Sequence, residues 1–130
     1  MAYKQFNPNP SGALVDDCTV RAICAATGES WGSVFCGLCA ESLRLGDMPS
    51  SKRVWGSYLK GRGYTRRFLP DTCPDCYTVS DFARDNPTGI YILATDVHVI
   101  CVKDGDWMDS ADSGGSVPMM YWTKGKEEEQ

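Results

Sequence analysis

Two hydrophobic periodicities divide the chain. As far as Asp85, apolar positions recur at helical spacing, whereas from Ile90 they come in short β-branched and aromatic runs. A first helix is expected from Asp16 or Asp17, either carboxylate able to cap free backbone N–H groups, to Thr27-Gly28. Apart from Arg21 its body is apolar or small, so it should be buried on nearly all sides. A second helix is capped by Ser30 and aligns Trp31, Val34, Phe35, Leu38 and Leu45. A third follows Ser50-Ser51, turns Val54, Trp55, Tyr58 and Leu59 inward, and ends at the glycines 61 and 63. A short fourth has Thr78 as cap with Asp81 three residues on.

The C-terminal third reads as strands. Residues 90–95 and 98–103 are separated from a return strand, 106–110, by Asp104-Gly105, a strong two-residue hairpin signal. Residues 117–122 are counted as one more strand and 64–69 as an edge strand. Helices first and a sheet after predict an α+β domain, an antiparallel sheet packed on a buried helix. Residues 1–13 read as an extended arm and 124–130 as a disordered tail, leaving one domain over 1–130.

Charge adds one feature. The net charge is −4, which argues against nucleic acid or an anionic membrane as general partners. Yet residues 48–70 contain Lys52, Arg53, Lys60, Arg62, Arg66 and Arg67 and no acid, leaving −10 on the rest. No apolar stretch has the length of a membrane span, and the first residues lack a secretory pattern, so a cytoplasmic monomer is expected. Seven cysteines, an odd number, in a reducing compartment favour free thiols over disulfides.

The chain has one histidine, His98, at the start of a strand. With Asp104-Gly105 as the turn, Lys103 faces Asp106, Val102 faces Trp107, Ile100 faces Asp109 and His98 faces Ala111. Alternation then places His98, Ile100 and Val102 on the face of Trp107 and Asp109, with Asp109 diagonal to His98 at roughly 7 Å. A β-bulge would reverse the parity and bring Asp112 forward instead. Cys18, at the start of the buried helix, gains from free N–H groups and the helix dipole, both of which favour a thiolate. Asp16 and Asp17 oppose it, so a cationic partner such as protonated His98 is required. Cys18 as nucleophile, His98 as base and Asp109 as orienting carboxylate follow the chain order of papain-type enzymes.

Residues 17–23 (Asp-Cys-Thr-Val-Arg-Ala-Ile), 26–31 (Ala-Thr-Gly-Glu-Ser-Trp), 86–91 (Asn-Pro-Thr-Gly-Ile-Tyr) and 98–105 (His-Val-Ile-Cys-Val-Lys-Asp-Gly) resemble small papain-like proteins encoded by phages and gut bacteria. More distantly, the chain is similar to bacteriocin-processing and cell-wall-cutting peptidases of papain type. The resemblance implies a papain-like fold and a thiol hydrolase that cleaves an amide or isopeptide bond in a protein or peptide, without a cofactor. Papain-type enzymes commonly carry an oxyanion-hole Gln shortly before the cysteine. Here the matching position is Gly12, and Gln5, Asn7 and Asn9 are the upstream candidates, with the Cys18 N–H as second donor.

The pairs Cys36-x-x-Cys39 and Cys73-x-x-Cys76 have metal-ligand spacing and could together form a four-cysteine zinc site. Cys36 and Cys39 fall inside the second helix, where they read as packing residues, so no metal is expected. Trp55 and Trp107 are candidates for the substrate cleft, Trp107 as a shield over the triad, and the basic third helix could border that cleft. Two functions of different class remain: a cysteine hydrolase, and a papain-like scaffold that binds a host or phage protein without turnover.

Overall fold

The computed structural model describes residues 1–124. Its order is β1 (Tyr3–Gln5), α1 (Cys18–Thr27), α2 (Trp31–Leu45), α3 (Lys52–Gly61), β2 (Tyr64–Phe68), α4 (Val79–Asp85), β3 (Ile90–Ala94), β4 (Val99–Lys103), β5 (Asp106–Asp109) and β6 (Met120–Lys124). The caps agree with three of the four expected helix starts. Ser30 accepts from Ser33 N–H, Ser51 accepts from Arg53 N–H, and Thr78 with Asp81 forms a reciprocal capping box. The first helix differs: Asp17 is its N-cap residue, but its side chain makes no capping bond.

The six strands form one sheet in the order β1-β5-β4-β3-β6-β2. The sheet is mixed, not antiparallel throughout. Part of the expected arm is β1, which lies parallel to β5 with Gln5 beside Asp109. The Asp104-Gly105 turn holds both residues at positive φ, 51° and 81°, and sets Lys103 opposite Asp106 and Val102 opposite Trp107 as expected. The ladder stops at Cys101 opposite Met108. His98 therefore precedes β4 and Asp109 closes β5, so neither belongs to a β4–β5 pair. Lys124 is the last residue of β6 and not part of a tail; the remainder of the expected tail lies outside the described residues.

Helices flank both faces. α1 is buried from Thr19 to Ala26 and packs, with α2 and α3, on the face of Ile92, Ala94, Val99, Cys101 and Trp122. α4 covers the opposite face, where Val79, Phe82 and Ala83 meet Leu93, Ile100, Val102 and Trp107. The second helix buries less than its pattern suggested: Val34 and Leu38 are inside, while Phe35 is 40% exposed. Cys36 is exposed and Cys39 half-buried, so Cys36 is not a packing residue. No described helix is long and apolar enough to cross a membrane.

Candidate active site

The start of α1, the start of β4 and the end of β5 meet at one end of the sheet. Here His98 Nε2 lies 2.6 Å from Asp109 Oδ2. With Nε2 engaged, the other ring nitrogen, Nδ1, is the one left for Cys18, which lies close enough to the ring for each group to shift the other's protonation. Strand parity correctly makes neighbours of His98 and Asp109, but it does not explain their contact with α1. Ile100, Val102 and Trp107 face α4, on the side of the sheet away from Cys18. The two site residues reach α1 because they sit at strand ends, beyond the regular ladder.

The loop between β3 and β4 fixes the histidine. Thr95 Oγ1 accepts from the N–H groups of Val97 (3.1 Å) and His98 (2.9 Å), while Thr95 N–H donates to His98 O at 2.8 Å. Asp109 is held more firmly still, at 2% exposure. Its Oδ2 also accepts from Ser113 Oγ at 2.8 Å. Its Oδ1 accepts from Ser110 N–H at 2.7 Å and from Arg21 Nε and Nη2 at 3.2 and 3.0 Å. Arg21 in turn pairs with Asp17, whose Oδ2 accepts from Trp31 Nε1 at 2.9 Å. A buried Asp17–Arg21–Asp109 bridge thus runs beside the His98–Asp109 pair. It also explains the missing cap, since the Asp17 carboxylate is committed to Arg21 and Trp31. No acceptor for the N–H groups of Cys18 or Thr19 occurs among the described residues.

These contacts set the protonation states. Burial pushes the Cys18 thiol up, but the His98 hydrogen bond, the Val99 N–H and the positive charges of His98 and Arg21 outweigh it and hold the thiol below its usual range. His98 is raised to about 9 by its hydrogen bonds to Asp109 and then Cys18, against the opposing effect of burial. Burial also works against ionised Asp109, yet the bonds from His98 and Ser113, the His98 charge and the Ser110 N–H keep it below the usual carboxylate range. The directions are those of a thiolate–imidazolium pair beside an ionised carboxylate. By contrast, burial raises Cys24 to about 11 and Cys101 to about 12, as unreactive core thiols.

Cys18 and His98 open onto a cleft of about 530 Å³. Three of the large apolar side chains left exposed, Val15, Phe35 and Val97, line it, and Phe35 stacks on Trp31 with centroids 5.0 Å apart. Trp55 forms part of its floor, itself only 1% exposed.

Trp107 is not part of the cleft. It packs against α4, and its Nε1 donates to Asp112 Oδ1 at 2.8 Å, an oxygen that also accepts from Gly114 N–H. Trp107 and Asp112 therefore pin the loop that carries Ser113 to Asp109. Trp107→Phe should lower stability by about 1 kcal/mol through the lost hydrogen bond, read as a shift in the urea midpoint. An unchanged midpoint would remove that role. The upstream amides are also elsewhere. Asn7 Nδ2 donates to Gly12 O and Ala13 O, Asn9 Oδ1 accepts from Ser11, and Gln5 is an exposed residue of β1. None of the three lines the cleft. Cys18 and Thr19, whose N–H groups have no acceptor among the described residues, both line it.

Cys36, Cys39, Cys73 and Cys76 do not converge, and the described residues contain no group of three or more His, Cys, Asp or Glu side chains able to hold a metal. Arg21, Thr95 and Ser113 are the site residues that sequence reasoning missed. Arg21 carried one visible signal, as the single charge in an otherwise apolar helix. Compared with models of known families, with curated proteins and with solved structures, the chain matches none of them.

Proposed function

We propose that the protein is a papain-type cysteine hydrolase that cleaves an amide or isopeptide bond in a protein or peptide. The observation that carries this reading is the convergence of Cys18 and His98 on one cleft, with the imidazole bonded through Nε2 to the buried Asp109 carboxylate and its other nitrogen left for the thiol. His98 takes the thiol proton, and the thiolate adds to the carbonyl carbon to form a C–S bond and an oxyanion. The Cys18 and Thr19 N–H groups receive that oxyanion. As it collapses, the C–N bond breaks and His98 returns its proton to the leaving amine. Water then attacks the thioester with His98 as base, releasing the acid and restoring the thiol. Asp109 keeps the ring oriented and stabilises its charged form.

A scaffold that binds a protein without turnover is the second reading. One observation favours it: no side-chain amide from the N-terminal arm lines the cleft. Iodoacetamide separates the two. A hydrolase should alkylate at Cys18 in a fast phase near neutral pH that Cys18→Ala removes, while the exposed Cys36, Cys73 and Cys76 still label. Cys18 reacting no faster than those three would favour the scaffold.

A further inference from the structure

A second groove, of about 550 Å³, runs between α3 and the edge strand β2. Lys52, Arg53, Lys60 and Arg66 line it, and no acidic residue does. Lys52 lines the cleft of Cys18 and His98 as well, so the two depressions share this residue as a border. Some of this charge is already used. Arg53 leans toward Asp47 at 3.5 Å, and Arg66 lies 4.8 Å from the centre of the exposed Phe68 ring. Lys60 has no carboxylate partner among the described residues, and Lys52 meets only the Asp96 carbonyl, at 3.4 Å. Concentrating six positive charges in residues 48–70 of a chain with net charge −4 builds a local field opposite to that of the whole.

We propose that this groove binds an acidic run of the polypeptide substrate and feeds the adjoining segment past Lys52 to Cys18. The inference rests on the hydrolase reading, since it names the substrate class of that site. Lys52 and Lys60 are eight positions apart on α3, about 12 Å along the axis, the length of about four extended residues. The occupant is thus a short acidic stretch with its charges spaced along one strand. A polypeptide suits the groove better than nucleic acid. Trp122 in its floor is only 6% exposed and offers no stacking face, and the neighbouring thiol is suited to acyl chemistry.

The test uses the full-length Cys18→Ala protein and dye-labelled hexaglutamate, followed by fluorescence anisotropy. Hexaglutamate should bind, weaken as salt rises, and outcompete hexaglutamine. Lys60→Gln/Arg66→Gln should weaken it about tenfold or more, while leaving iodoacetamide labelling of Cys18 unchanged in the otherwise wild-type chain. Equal binding of hexaglutamine, or an unaffected double variant, would overturn the proposal. So would an oligothymidine of similar length binding more tightly. Binding that appears only after residues 125–130 are removed would assign the groove to the chain's own Glu127–Glu129 and overturn it too. The two readings fail separately: slow Cys18 labelling with hexaglutamate preference intact removes the hydrolase, and fast labelling without that preference removes only this substrate class.

Discussion

A His98→Gln variant is expected to lose the fast alkylation of Cys18 near neutral pH and, under the proposed hydrolase function, to slow amide cleavage by about 10²–10⁴-fold. Burial by itself pushes the Cys18 thiol up, and the His98 hydrogen bond is the first contribution that opposes it. Glutamine occupies similar space but carries no charge and accepts no proton from the thiol. What remains, the Val99 N–H and the charge of Arg21, is the weaker part of the compensation. The pH profile gives the sign. In the native protein the thiolate–imidazolium pair exists from the lowered thiol pKa up to the histidine's value of about 9. Labelling of the wild type should therefore be level across that window, whereas the variant should show a single rise at higher pH. Stability follows the same linkage. The raised His98 pKa contributes stability that is complete below about 6.5, the ordinary histidine value, and is lost as pH rises through about 9. The lowered Cys18 pKa contributes stability present above the ordinary thiol range and lost as pH falls through its native value. His98→Gln should remove both slopes from a pH series of urea midpoints. A variant that labels as fast as the wild type, with the same level profile, would end the ion-pair account.

Local signals in the sequence carried most of the fold. Ser30, Ser51 and Thr78 cap where a hydroxyl before an apolar run should, and Asp104-Gly105 sets the hairpin because both residues adopt positive φ. The pairing of β1 with β5 was not legible, because three residues of an N-terminal arm carry no pattern that names a distant partner. In the site, Asp109 was identified by parity, and His98 does meet it. The same parity misplaced Trp107, because strand alternation holds only inside a ladder and the site lies beyond its end. Asp17 was read as a helix cap and as a charge opposing the thiolate. Both readings missed Arg21, whose long side chain takes up that carboxylate from one turn further along the helix. A lone arginine in an apolar helix announces a buried partner but does not say which one, and here it has two, 4 and 88 residues away.

That bridge makes Arg21→Met the substitution with the largest expected cost in stability, about 3–5 kcal/mol. Arg21, Asp17 and Asp109 are each under 10% exposed, so removing the guanidinium leaves two carboxylates in the interior with fewer donors than charge requires. Asp109 would retain His98, Ser110 N–H and Ser113; Asp17 would keep Trp31. Asp109→Asn should cost less, about 1–3 kcal/mol, because an amide fills the same space without charge and Arg21 still pairs with Asp17. Asp109, 2% exposed, is thus not a carboxylate that the fold can spare without cost. Urea midpoints of the two variants and of their combination test the network. In the double variant one stranded carboxylate has been neutralised, so its loss should fall short of the sum of the two single losses. Function distinguishes them further, at a temperature where circular dichroism shows each variant folded. Asp109→Asn removes the carboxylate bond that chiefly raises the His98 pKa, so the upper limb of the Cys18 labelling profile should move toward neutral pH. Arg21→Met leaves the His98–Asp109 bond in place and should move that limb much less. An Arg21→Met midpoint within about 1 kcal/mol of the wild type would show that the buried bridge does not hold the end of the sheet together.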